Sequence, residues 1–309
     1  MPRRLLIVAL LLALTSLAAA QNKKVRERKG NPYPPTFEGA TSEVYKTVDG
    51  TELKLFIFNP QRENPKEPRP AIVFFFGGGW TNGSPVQFEQ QSRYLASRGM
   101  VAIAADYRVK SRNNSQVIDS VRDAKSAMRY VRANAERLGI DPNRIAAGGG
   151  SAGGHLAACT GTIPGLDEEG EATAVSSVPN AMVLYNPVMS LVGLRDEETQ
   201  EAEVKGRLGI DAKSLSPHGH EQAGQAPMIM FFGTEDRLIE GAKAFQTDAK
   251  KLGLRCEIVE YEGQKHSFFN FKGDTNDYFF KTLKAADEFL QSIGYVKGPD
   301  TVDAFFEKK

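Results

Sequence analysis

One serine in this chain stands where it could act as a nucleophile. Ser151 lies in Gly149-Gly150-Ser151-Ala152-Gly153, between the strand-like segment Arg144–Ala147 and the helix-forming run His155-Leu156-Ala157-Ala158. A G-x-S-x-G between strand and helix presents the serine hydroxyl at the tip of a tight, strained turn. The residues two before and two after the serine must pass each other closely, and Gly149 and Gly153 bring no side chain to prevent it. A glycine-rich loop can also cradle a phosphate, but no Lys follows at the position a phosphate loop requires.

A serine hydroxyl is a weak nucleophile until a base takes its proton, and the base needs an acid to orient it. There are four histidines. His155 falls one turn into the helix after Ser151 and reads as a packed or hydrogen-bonded side chain. His218 and His220 precede the later strands, the wrong order for a base. Their H-x-H spacing comes with no further ligand pattern, so no metal site is expected. His266, in Gly263-Gln264-Lys265-His266-Ser267-Phe268, follows the strand ending at Tyr261 and is in place for the order serine, acid, histidine. The acid belongs in the loop Gly233-Thr234-Glu235-Asp236-Arg237. Glu235 and Asp236 are both candidates there, and Asp236 is favoured, its other reading being a helix cap. The third element is Phe76-Gly77-Gly78-Gly79-Trp80, where three glycines let backbone N–H groups converge on an oxyanion; the amide of Ala152 would complete the hole. Trp80 reads either as an aromatic wall for a sugar or cinnamoyl group or as core packing.

The elements that must position these residues follow a regular rhythm. Glu43–Val48 and Leu53–Phe58 read as a hairpin joined at Asp49-Gly50. Ala71–Phe76, Val101–Ala105, Ala181–Tyr185, Met228–Phe232 and Glu257–Tyr261 are apolar runs of strand length. Helices are expected at Phe88–Ser97, Gln116–Leu138, Gly241–Leu252 and Asn276–Ile293. The longest carries Val117, Val121, Ala124, Met128 and Val131 on one face. Apolar strands alternating with helices mean a mostly parallel central sheet covered on both faces, an α/β domain over residues 41–295. The long polar stretch Met189–Ala226 reads as a small cap insertion, residues 21–40 as a Pro-rich linker or N-terminal arm, and residues 296–309 as a C-terminal tail.

With 39 basic and 38 acidic residues the formal charge is +1, which gives no electrostatic reason to expect nucleic acid as a partner. Arg3 and Arg4, the apolar run Leu5–Leu14 and Ala18-Ala19-Ala20 have the pattern of a signal peptide over residues 1–20. The run falls short of the ~20 residues a span needs, so no stable membrane insertion is expected. The mature chain is expected to begin near Gln21 and to be secreted or periplasmic. Cys159 and Cys256 are expected to remain unpaired buried thiols, one on the helix after Ser151 and the other opening a late strand.

G-G-G-W-T-N-G-S from Gly77, Asp106-Tyr107-Arg108, and G-G-S-A-G-G-H-L-A around Ser151 resemble the hormone-sensitive-lipase-like carboxylesterases of the α/β-hydrolase superfamily. With Trp80 the motif is most similar to exported bacterial acetyl-xylan and feruloyl esterases. The resemblance covers roughly residues 45 to 293. It implies the α/β-hydrolase fold, the triad Ser151, Asp236 and His266, and an oxyanion hole from Gly78 and Gly79 with Gly77 close by. It implies an acyl-enzyme mechanism with no cofactor, acting on a small-molecule or polysaccharide-borne ester. Phe76 departs from the pattern, since that group usually has His there as a tether for the glycine loop. Dehalogenases and epoxide hydrolases of the fold would need Asp where Ser151 stands, and dienelactone hydrolases Cys. A serine exopeptidase of the prolyl-oligopeptidase kind and a non-catalytic binding protein are the competing readings. For the export signal, N-terminal sequencing or intact mass of the protein recovered outside the cytoplasm should show a start at or near Gln21. A mature chain keeping Met1 in the membrane fraction would mean an uncleaved anchor instead.

Overall fold

Residues 33–61, 67–193, 201–273 and 276–307 are described by a computed structural model. The segment expected as a signal peptide lies outside them. Eight strands form one sheet: β1 (Thr41–Val48), β2 (Thr51–Phe58), β3 (Arg69–Phe75), β4 (Val101–Ala105), β5 (Ile140–Gly150), β6 (Ala181–Tyr185), β7 (Met228–Gly233) and β8 (Cys256–Tyr261). Their spatial order is β1-β2-β4-β3-β5-β6-β7-β8, with β2 antiparallel to both of its neighbours, β1 and β4, and every other pair parallel. The helices are α1 (Glu89–Ser97), α2 (Val117–Ala133), α3 (Ala152–Thr162), α4 (Glu201–Leu208), α5 (Ile239–Lys251), α6 (Asp277–Ser292) and α7 (Val302–Glu307), with shorter turns at Lys110–Asn113 and Ala135–Leu138. This is the α/β-hydrolase architecture. Among the described residues, no helix is long and apolar enough to cross a membrane.

Period-two burial explains why the sheet carries two cores. Val73 and Phe75 of β3 join Ile103 and the buried stripe of α2 on one face. Ile72 and Phe74 join Phe56, Phe88 and the apolar side of α6 on the other. Each such fully buried side chain stabilises the fold by roughly 1.5–3 kcal/mol relative to exposure. The face expected on the longest helix is the one buried on α2, whose start is held by a reciprocal Gln116–Asp119 capping box. The expected single helix to Leu138 instead breaks at Asn134.

Two other differences bear on the site. β5 runs to Gly150, well past the Ala147 at which sequence ended it, because Gly148, Gly149 and Gly150 pair with Val183, Leu184 and Tyr185 of β6. The glycines are strand residues here, chosen by contact: a Cβ on Gly148 would lie 2.6 Å from the Phe74 ring. The described parts of the expected arm and tail also pack. Phe37, expected in the arm, lies edge-on to Phe56 and Phe58 at 5.1 and 5.4 Å, and Val302 of α7, expected in the tail, is fully buried.

Beyond β4, the segment Asp106–Arg108 is fixed by a buried ion network. Fully buried Asp123 accepts from the Arg108 backbone amide (2.9 Å), its Nε (2.9 Å) and Nη2 (2.8 Å), and from Lys46 Nζ (2.8 Å). Glu168 closes the group with Lys46 and Arg108 at 2.6 and 2.7 Å. The order matters because Tyr107 between them donates its hydroxyl to the Phe76 carbonyl at 2.6 Å, just before the glycine run. Removing one member of such a network leaves charge buried without its partner. Asp123→Ala should therefore lower unfolding free energy by about 3–5 kcal/mol, read from the urea midpoint. A loss below about 1 kcal/mol would show that Glu168 alone balances both cations.

Candidate active site

β5 delivers Ser151 into helix α3 through a turn that only this packing sustains. Ser151 has φ +54° and ψ −118°, a conformation unusual for a residue with a side chain. Its amide donates to the Tyr185 carbonyl at 2.8 Å, and its carbonyl accepts from the His155 amide at 2.9 Å. The flanking glycines are required by contact: a Cβ on Gly149 would sit 2.4 Å from the Gly153 carbonyl oxygen, and one on Gly153 2.0 Å from that of Phe75.

The loops after β7 and β8 bring two side chains to this turn. His266 Nε2 lies 2.8 Å from Ser151 Oγ, and its Nδ1 lies 2.7 Å from Asp236 Oδ2. Since the carboxylate accepts, the imidazole donates from Nδ1 and leaves Nε2 as an acceptor facing the serine hydroxyl. Asp236 Oδ1 accepts from the Leu238 amide at 3.0 Å, which holds the carboxylate in place. Sequence alone left Glu235 and Asp236 open, and burial separates them. The Asp236 side chain is 1% exposed and faces His266, whereas Glu235 is 54% exposed with Lys265 at 3.8 Å. The histidine loop rests on Asn186, whose Oδ1 accepts from the Ser267 amide at 3.2 Å, and on buried Phe269 beneath Gly150.

The glycine run after β3 lies beside the serine. A Cβ on Gly77 would come within 3.3 Å of Ser151 Cβ. The Gly77 amide donates to Gln87 Oε1 at 2.5 Å, so it is committed to the protein. Gly78 (φ +130°) and Gly79 (φ +61°) turn through conformations that favour glycine. The Gly78 carbonyl accepts from Thr81 and Asn82, and that of Gly79 from Arg207 Nη2 at 2.9 Å. Ala152 is the first residue of α3, so its N–H has no acceptor within the helix. Arg207 belongs to α4, so the insertion expected as a cap reaches this loop; its residues 194–200 lie outside the described ones.

The other singled-out residues are placed elsewhere. Trp80 is half-buried, packs on the core and meets the His155 ring edge-on at 5.1 Å. His155 is fully buried with Nε2 2.7 Å from the Leu215 carbonyl, and burial pushes its pKa down to about 4, so the ring is neutral at neutral pH. Cys159 and Cys256 are free and buried; burial raises the Cys159 thiol and pushes that of Cys256 up to about 12. Among the described residues, one group could offer converging ligands to a metal: His218, Glu221 and Asp248, with His218 Nε2 3.2 Å from Asp248 Oδ2. His220 is not part of it. Gln87, Asn186 and Asn270 line the loops of the site and were missed in sequence, where polar residues in loops carry no signal of what they hold.

Residues 55–250 match the BD-FAE family, a span that includes Gly77, Ser151 and Asp236 and ends before His266. The chain is similar to the esterase Est2 of the planctomycete Thermogutta terrifontis, at 50% identity over 86% of this chain and 97% of that one, with a TM-score of 0.81. Est2 structures include propionate- and butyrate-bound forms and one phosphorylated by paraoxon. It is also similar to esterase LipC of Mycobacterium tuberculosis (34% identity, 67% of this chain, 55% of that protein). A probable isoprenylcysteine alpha-carbonyl methylesterase, ICMEL1 of Arabidopsis thaliana, is 29% identical over 73% of this chain and 50% of its own length. The chain thus spans about half the length of these two curated relatives.

The separation of the two carboxylates can be measured. Asp236→Asn, which leaves the shape but upsets the imidazole tautomer, should lower aryl-ester turnover by roughly 10⁴-fold. Glu235→Gln should change it less than about 3-fold, since that side chain is solvated. Similar losses in both variants would contradict the geometry.

Proposed function

The chain belongs to the BD-FAE family, and we propose that it is a serine esterase in which Ser151, His266 and Asp236 act as one unit. The unbroken run of contacts from Asp236 Oδ2 through His266 to Ser151 Oγ, at 2.7 and 2.8 Å, carries the proposal. Ser151 attacks the ester carbonyl as His266 Nε2 takes its proton, while Asp236 holds the tautomer and stabilises the imidazolium. The amides of Gly78, Gly79 and Ala152 receive the oxyanion, each such donor contributing roughly 10²–10³ in turnover. His266 returns its proton to the leaving alcohol; it then serves as base for the water that attacks the acyl-enzyme, and free acid leaves with Ser151 restored.

The substrate proposed is a short acyl ester. Propionate and butyrate bind to Est2, about half of whose residues are shared with this chain. The insertion between β6 and β7 points the same way: Arg195, Asp196, Glu197, Glu198, Glu201 and Glu203 crowd its sequence and leave little apolar face for lipid. A natural task in releasing acetyl or feruloyl groups from polysaccharide, outside the cytoplasm, fits the resemblance to acetyl-xylan and feruloyl esterases and the expected signal peptide.

Aryl esters of increasing chain length, with an aminoacyl anilide as the peptidase control, test the proposal. Acetyl to butyryl esters should be cleaved fastest and the anilide left intact. Ser151→Ala should lose roughly 10⁵–10⁶-fold in turnover while remaining folded, because the hydroxyl reacts but packs little. A rate peaking at eight carbons or more would remove the short-acyl assignment. Substantial turnover by Ser151→Ala would remove the nucleophile.

A further inference from the structure

The oxyanion loop and the histidine loop come from distant parts of the chain, yet a single line of hydrogen bonds joins them. The Gly77 amide donates to Gln87 Oε1 at 2.5 Å; Gln87 Nε2 donates to Asn270 Oδ1 at 2.8 Å; Asn270 Nδ2 donates to the Ser267 carbonyl at 3.0 Å. We infer that Gln87 and Asn270 are positioning residues that hold the oxyanion donors and the base His266 in register across Ser151.

The polarity of the line is not adjustable. A backbone N–H can only donate, so Gln87 must turn its oxygen to Gly77 and its NH₂ outward. Asn270 must then present its oxygen to Gln87 and its NH₂ to Ser267, whose carbonyl can only accept. Both amides are thereby fixed from their two ends, one at a backbone donor and the other at a backbone acceptor. The residues following and preceding them reinforce the link: Phe88 and Phe269 stack at 6.0 Å with 24° between their planes.

Both ends of the line touch the reacting centre without entering it. Gly77 abuts Ser151 and directly precedes Gly78 and Gly79. Ser267 directly follows His266 and has φ +68°, a conformation its side chain disfavours. Its amide is held by Asn186 and its carbonyl by Asn270. Loss of the Gln87 amide would free Gly77 and leave Asn270, which holds the Ser267 carbonyl, without its link to the glycine run. The donors and the base would then drift relative to one another. A misplacement of ~1 Å in such a site costs roughly 10²-fold in rate. The line also supplies what Phe76 cannot: a polar tether for the glycine loop, arriving from the side of the base.

The inference rests on the esterase reading and is tested with it. Gln87→Met, close in volume but without polar atoms, should lower kcat for an aryl acetate by roughly 10- to 100-fold, with KM changed less than about 3-fold. Gln87→Glu, which keeps an acceptor for Gly77 but not the donor to Asn270, should fall between the wild type and Gln87→Met. Asn270→Ala should lower kcat as well. The double variant Gln87→Met with Asn270→Ala should be little worse than Gln87→Met alone, since the two residues act through one line. The rate of phosphorylation by paraoxon, followed by mass spectrometry, should drop in parallel, because it needs the same donors and base without the natural substrate. Should Gln87→Met fail to fold, Asn270→Ala carries the test, as it leaves the bond between Gly77 and Gln87 intact. Wild-type kcat in folded Gln87→Met and Asn270→Ala, or losses that multiply in the double variant, would overturn the positioning role while leaving the esterase reading standing. A wild-type chain that neither turns over the ester nor takes up the phosphoryl group would sink both.

Discussion

Backbone meets backbone at the turn around Ser151, and the site depends on that contact. A residue with a side chain does not rest at φ +54° unless its surroundings leave it nowhere else. Here β3, β5 and the first turn of α3 approach so closely that no Cβ fits at Gly149 or Gly153. The Tyr185 carbonyl then fixes the serine amide. The strain is opposed by the burial of a sheet with apolar residues on both faces, so the fold stabilises a conformation that the local chain disfavours. The hydroxyl is left projecting from the end of β5, where the loops after β3, β7 and β8 can reach it.

Parallel order explains why those loops converge. Strands β3, β5, β6, β7 and β8 run the same way, so their carboxyl ends share one edge of the sheet. Each supplies one part of the proposed site: glycine amides after β3, Ser151 after β5, Asn186 as a loop support after β6, Asp236 after β7 and His266 after β8. The Asp236 loop is tied to the histidine loop, where a Cβ on Gly233 would strike the Gln264 carbonyl at 2.0 Å and the Glu235 amide donates to that same oxygen.

Much of this was legible in sequence because periodicity and chain order are local signals. Apolar runs, a hairpin signal and the strand-like segment before Ser151 located all eight strands, and with four histidines the order serine, acid, histidine singled out His266. The end of β5 was misjudged because glycines read as turn unless their neighbours are known, and those neighbours come from β3 and β6. Asp236 was favoured over Glu235 in sequence, but what separates them is burial, and burial is a property of the packed loops. The Gln87–Asn270 pair was beyond reach for the same reason: 183 positions separate the two residues, and amide side chains in loops look alike until their partners are in place.

Phe76 shows how the root of the glycine run is held by an apolar side chain. The ring is buried, stacks on Tyr107 at 4.1 Å and passes so close to Gly83 that a Cβ there would fall within 2.6 Å of it. The Tyr107 hydroxyl donates to the Phe76 carbonyl, and Arg112 reaches across the ring to the Gly83 carbonyl at 2.7 Å. These contacts pin the root of the glycine run and the chain beyond it, but they supply nothing to the Gly77 amide, which lies against the nucleophile. A buried amide without an acceptor would itself be destabilising by about 1–3 kcal/mol. Gln87 removes that cost and, through its second polar atom, makes the acceptor of the oxyanion loop a donor to the loop of the base. A glutamine ten residues on thus anchors Gly77 with its oxygen and Asn270 with its NH₂, so one side chain answers to both loops at once.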